Sequence, residues 1–187
     1  LTTWRENAIA RQALKIAGNP KRILDLPCGA GRFWEMLAED PNRVLFAADN
    51  SENMVNAAKT LVRPEIASRF ESFTASAFDI PLEANFVDHI LCMRLFHHIE
   101  QSAHRLQLLK EFHRVAKESV CISLWVDGNL QALRRKKRIN GSREVNRLVV
   151  PRKTIEQEIK AAGFEIIKAI DVLPAIAMWR FYILRKV

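Results

Sequence analysis

The stretch that most constrains the fold runs from Arg22 to Leu37: Arg22-Ile-Leu-Asp25-Leu-Pro27-Cys28-Gly29-Ala-Gly31-Arg-Phe-Trp-Glu-Met-Leu37. An apolar run ends in an acid, a glycine-rich turn follows, and an amphipathic segment opens behind it. Strand, turn and helix in that order form the unit from which open α/β sheets are wound. Glycine at such a turn leaves room for a ligand to approach the backbone. Amides at the start of the following helix then face an anion. A dinucleotide loop needs a third glycine, and counting from Gly29 places Trp34 there. Pro27 has no N–H to donate and cannot reach positive φ. The loop therefore suits a ligand with one carboxylate better than one with a pyrophosphate.

Two acids sharpen that expectation. Asp25 closes the first strand, facing where an ammonium could sit. Asp49 closes the next apolar run, Val44-Leu-Phe-Ala-Ala48, where a carboxylate can take both hydroxyls of a ribose. Carboxylate, ammonium and ribose together describe S-adenosylmethionine.

Asp25-Leu-Pro-Cys-Gly-Ala-Gly31 resembles motif I of the class I S-adenosylmethionine-dependent methyltransferases, and Ala47-Ala-Asp49-Asn-Ser-Glu-Asn-Met54 is similar to their second motif. Ser76-Ala-Phe-Asp79-Ile-Pro81-Leu and Phe86-Val-Asp88-His-Ile-Leu-Cys-Met93-Arg-Leu-Phe-His97-His98-Ile resemble the third and fourth. The small-molecule enzymes of ubiquinone and menaquinone biosynthesis are the nearest likeness, over about residues 20 to 126. The resemblance implies a Rossmann-like, seven-stranded, mostly parallel sheet in the order 3-2-1-4-5-7-6. Helices would cover both faces, and an antiparallel C-terminal hairpin would lie at one edge. It implies cofactor contacts from Asp25, Pro27, Cys28, Gly29, Gly31, Asp49, Asn50 and Met93, with adenine read by Ser76, Ala77 and Phe78. Family members often carry an acid where Ser76 stands, so the charge is lost here and a hydroxyl kept.

Along the rest of the chain, residues 3–17 read as a helix closed by Gly18-Asn19-Pro20. In the family such helices cover the cofactor, which makes residues 1–19 a cap helix, with Trp4 and Arg5 as candidates to lean over the ligand. Ser51 and Ser102 sit where helix caps are expected. The 187 residues suit one domain. With no apolar run of about 18 residues and no leader pattern, the expectation is a soluble, cytoplasmic protein. Cys28, Cys92 and Cys121 lack a C-x-x-C spacing and read as buried thiols in a reducing compartment.

The formal charge of +8 is concentrated. Between Arg134 and Lys153 lie nine basic residues and the single acid Glu144, so the remainder is neutral. This island falls largely within 127–150, an insertion after the fifth strand in the part least like the family. Arg134, Arg135 and Arg138 are therefore the candidate acceptor-binding residues. The acceptor is expected to be a small molecule, with an anionic or lipid-like one suggested by the island. Nucleic acid is disfavoured, because Trp125 is the only aromatic between Phe112 and Phe164. His97 and His98 follow the fourth strand, where such sheets bind ligands, and are weak candidates for a general base. No third ligand with metal spacing accompanies them. An RNA or protein methyltransferase, and a non-catalytic module that binds the cofactor, stay open as alternatives.

Overall fold

Ile9, Ala10, Ala13 and Leu14 form the buried stripe of α1 (Thr2–Ile16), which ends where Gly18 and Asn19 turn to positive φ. The computed structural model to which this helix belongs describes residues 2–139 and 148–187, the side chains of residues 2 and 136–139 excepted. Seven strands follow: β1 (Arg22–Asp25), β2 (Val44–Asp49), β3 (Phe70–Thr74), β4 (Val87–Cys92), β5 (Ala116–Trp125), β6 (Phe164–Asp171) and β7 (Trp179–Lys186). They make one sheet in the order β3-β2-β1-β4-β5-β7-β6. β1 to β5 pair in parallel, and β7 runs antiparallel to both β5 and β6. The expected topology is the observed one.

Alternation along the strands assigns each side chain to one of two cores. Leu24, Phe46, Ile90, Ile122 and Tyr182 face one core, closed by α5 (Ser102–Val115) and α7 (Arg152–Ala161). Ile23, Leu45, Leu91, Cys121 and Phe181 face the other, under α1, α2 (Trp34–Leu37) and α3 (Glu52–Leu61). Asp25 and Met93, two residues beyond Ile23 and Leu91, and Asp49, four beyond Leu45, emerge on this second face at the carboxyl edge of the sheet. A one-turn helix, α4 (Pro64–Ala67), precedes β3, and α6 (Leu130–Ile139) follows β5. Arg105 and Glu158 form a buried ion pair that joins α5 to α7. A register shift between Ile166 and Lys168 interrupts the pairing of β6 with β7.

Three local readings are corrected. The amphipathic helix expected from Gly31 is a single turn that begins only at Trp34. Gly31 lies at φ 76°, a left-handed value that no right-handed helix can include. The turn has too few aligned peptides to present a useful dipole. Ser102 is the first residue of its helix rather than the cap, and its hydroxyl donates to Glu158. Ser51 does cap α3, but through its backbone carbonyl alone. All three cysteines are free and buried. Among the described residues, no helix is long and apolar enough to cross a membrane.

Candidate functional site

At the carboxyl edge, the loops after β1, β2 and β4 surround a cavity of about 500 Å³, lined by Pro27, Cys28, Gly29, Phe33, Asp49 and Met93 among others. Asp49 organises it. One carboxylate oxygen accepts the Gly29 amide at 3.0 Å and the other accepts the Ser51 amide at 3.0 Å. Each oxygen keeps a further lone pair for a hydroxyl donor. Gly29 has φ 51°, and a Cβ added there would meet no protein atom within 4 Å. The space a side chain would fill stays open to a ligand.

The two glycines have separate roles. A Cβ on Gly31 would lie 2.6 Å from a Val62 methyl and 3.3 Å from the Ala58 Cβ. The close approach at Gly31 is to the end of α3. Gly31 lets the loop pack down, and Gly29 leaves the hollow.

Asp25 is fully buried and gives no surface to the cavity. Neither of its oxygens has a hydrogen-bond partner. Burial pushes its carboxyl well above the usual carboxylate range; the nearby Trp34 indole opposes this and the Asp49 charge adds to it. The indole N–H is within electrostatic reach but outside hydrogen-bonding geometry. Burial also pushes the Cys28 thiol up to about 12, with Asp25 and Asp49 adding to the effect. A buried acid without a partner is costly unless a cation offsets it. Orphaned Asp25 and the open cradle at Gly29 are what a ligand carrying both an ammonium and a ribose would satisfy.

Other expected contacts stand apart from the cavity. Asn50 is exposed beside Asp49. Ser76 is exposed, its hydroxyl accepts the Phe78 amide, and Phe78 packs partly on the α5 side of the sheet. Ser76, Ala77 and Phe78 therefore line no part of the described hollow. Trp4 stands 73% exposed rather than leaning inward. Thr3 reaches the cavity instead, and Arg32 bonds both Thr3 and the buried Glu6, fastening α1 to the loop.

Arg94 is the residue that sequence reasoning missed. It follows Met93, lines the cavity, and holds φ 64° with its amide donated to the Ser123 hydroxyl at 3.0 Å. A left-handed arginine is rare, and such strain gathers at functional positions. Its guanidinium lies 5.4 Å from the centre of the Trp179 ring. Trp179 and Trp125 meet edge to face, and buried His97 stacks on Trp125. His97 is thus built into an aromatic cluster and His98 is exposed; neither lines the cavity. Arg135 lies over Trp125, Arg134 faces solvent, and the side chain of Arg138 lies outside the described residues. Among the described residues, no group of three or more His, Cys, Asp or Glu could hold a metal ion.

Residues 23–119 match the family model described as a methyltransferase domain, which covers more than half of the chain. The chain belongs to the methyltransferase-domain family. The demethylmenaquinone methyltransferase of Lactococcus lactis subsp. lactis (strain IL1403) is 31% identical to this methyltransferase-domain chain over 105 residues. That match spans 54% of the chain and 40% of the relative, well under two thirds of its length. Among solved structures, the magnesium protoporphyrin IX methyltransferase from Synechocystis PCC 6803 with bound S-adenosylhomocysteine superimposes with a TM-score of 0.82 at 16% identity. All of this chain and 84% of that one are covered. A SAM-dependent methyltransferase from Methanosarcina mazei gives 0.72 at 17% identity, covering 89% and 92%. These likenesses establish the methyltransferase fold.

Proposed function

We propose that this chain transfers a methyl group from S-adenosylmethionine to a small-molecule acceptor of anionic or lipid-like character. The observation that carries the reading is the Asp49–Gly29 pair: a carboxylate with spare lone pairs, hydrogen-bonded to the amide of a glycine that opens on the cavity. Structural neighbours crystallised with S-adenosylhomocysteine and S-adenosylmethionine support it.

S-adenosylmethionine supplies a methyl group on a sulfonium, which reacts with a nucleophile by direct displacement. The chain's part is to bind, orient and exclude water. Asp49 takes the ribose hydroxyls, and the backbone at Gly29 admits the ligand. Asp25, driven towards its neutral form when no cation is near, ionises as an ammonium offsets its charge. Met93 and Arg94 wall the side that leads to Trp179, and Arg94 offers a cation to an acidic acceptor. Among the described lining residues there is no histidine, so alignment rather than proton transfer by His97 or His98 is the main device. Arg135, over Trp125, belongs to the acceptor side, together with the rest of the basic island. The large, mostly apolar molecules named in two relatives, demethylmenaquinone and magnesium protoporphyrin IX, support an acceptor of that kind.

Titration calorimetry tests the reading. S-adenosylmethionine and S-adenosylhomocysteine should bind one to one, and NAD should not. Equal affinity for NAD would overturn it.

A further inference from the structure

The corner beyond the aromatic cluster carries an exposed apolar surface. Leu130, Leu133, Leu173 and Ile176 are 49%, 59%, 41% and 49% exposed, four of the ten large apolar residues left in solvent among the described residues. They sit together because the first turn of α6 is hydrogen-bonded to the β6–β7 connection. The Leu130 amide donates to Ala175 O, the Gln131 amide donates to Ile176 O, and the Met178 amide donates to the Gln131 side chain. Since β7 runs antiparallel, that connection lies at the carboxyl edge, beside the cavity. Trp179 begins β7, and its ring carries the guanidinium of Arg94, which lines the cavity.

Charge surrounds the same corner. Residues 130–139 hold five basic residues and no acid. At helical spacing Leu130, Leu133 and Arg134 share one face, and Leu133 and Arg134 are both exposed. Aliphatic side chains with cations beside them, on a helix tied to the domain through its first turn, match the boundary between lipid tails and anionic headgroups. Each basic residue close to such a surface strengthens attachment about five-fold. Nucleic acid asks for stacking rings instead, and this patch is aliphatic.

We propose that α6 and the 172–178 connection dock this protein on an anionic membrane surface, with the cavity mouth beside the lipid. The proposal extends the lipid-like acceptor above, because an acceptor dissolved in the bilayer would reach the Arg94 side without crossing water.

Co-sedimentation with lipid vesicles tests it. The wild-type chain should bind phosphatidylcholine vesicles holding about one part in three of phosphatidylglycerol at least ~10-fold more tightly than pure phosphatidylcholine vesicles. Raising salt from about 0.05 M to about 0.5 M should release it. The double variant Leu133→Asp, Ile176→Asp changes only exposed side chains and should lose most of the binding, at least ~10-fold. Its circular dichroism and S-adenosylhomocysteine affinity should not change. Absent binding to the anionic vesicles at low salt, or equal binding by the double variant, overturns the proposal. So does a failure to bind vesicles accompanied by tight binding of poly(U) RNA, which assigns the island to nucleic acid. A vesicle-inert dimer that the double variant converts to monomer would make the patch a self-association surface. Calorimetry without vesicles separates this idea from the methyltransferase reading, since either can fail alone.

Discussion

The Asp49 carboxylate accepts the Gly29 amide at 3.0 Å, tying the end of β2 to the loop after β1. Two strands thereby agree on the position of one acid. Asp49→Ala should weaken S-adenosylhomocysteine binding by at least ~1.5 kcal/mol, roughly ten-fold, through loss of the hydroxyl acceptor. The melting temperature should change little, because Asp49 sits at the rim and water can replace it. Unchanged affinity by calorimetry would remove Asp49 from the binding site.

Gly29 and Gly31 should separate binding from folding. Gly29→Ala places a methyl in the open hollow, with left-handed strain of about 1–2 kcal/mol. Binding should be lost while the far-ultraviolet circular dichroism spectrum is kept. Gly31→Val instead drives side-chain atoms into Val62 and Ala58. Overpacking adds about 1–3 kcal/mol to the strain, and each kcal/mol lowers the melting temperature by about 2–4 °C. A Gly31→Val protein that melts like wild type would contradict the packing role.

Asp25 should trade stability for binding. Its folded pKa is raised by burial, so its contribution to stability is fully present below the unfolded value near 3.8 and is lost as pH climbs through the folded value. At neutral pH the ligand-free protein carries that loss, and Asp25→Asn removes it. The variant should melt at a higher temperature at pH 7 and bind S-adenosylmethionine at least ~10-fold more weakly, about 1.4 kcal/mol. Wild-type affinity should rise with pH as Asp25 ionises. A variant with lower melting temperature and intact affinity would refute this.

His89 should make the fold acid-sensitive. Burial, with Arg43 adding, holds its pKa at about 3, while Asp88 opposes the shift. Its Nδ1 is 2.8 Å from the Ser119 hydroxyl. Because the folded value is depressed, the unfolded chain alone takes up a proton between about 6.5 and about 3. Stability is complete above that window and falls through it. Urea unfolding of wild type and His89→Gln at several pH values should show the variant losing less stability as pH falls from 7 to about 4.5. Parallel losses would place the acid sensitivity elsewhere.

Much of this was legible along the chain. Strand ends that close in Asp25 and Asp49 announce themselves through apolar runs, and two-residue alternation carries both acids to one face. Other parts depend on partners distant in sequence. Nothing near Gly31 foretells Val62, and nothing near Asp25 tells that it is fully buried. Arg94 lies within the fourth motif, but nothing in the motif marks its left-handed backbone, whose amide is held by Ser123 on the neighbouring strand. His97 looks catalytic beside the motif and is a ring in a stack, since Trp125 and Trp179 close on it from two later strands. The helix after the glycine loop is shorter than its sequence suggests, because the apolar spacing begins ahead of Trp34 while Gly31, at φ 76°, is not helical.

The register shift between Ile166 and Lys168 falls on β6, which forms one border of the sheet. A border strand offers unpaired peptide groups to any other chain, and a displaced residue bends that row out of alignment. Lys168, exposed on the shifted strand, adds a charge that an incoming strand would have to bury. The irregularity thus guards against edge-to-edge aggregation while the opposite side of β6 keeps its ladder to β7. Straightening it, or replacing Lys168 with a β-branched apolar residue, would trade a tidier sheet for a protein more prone to aggregate.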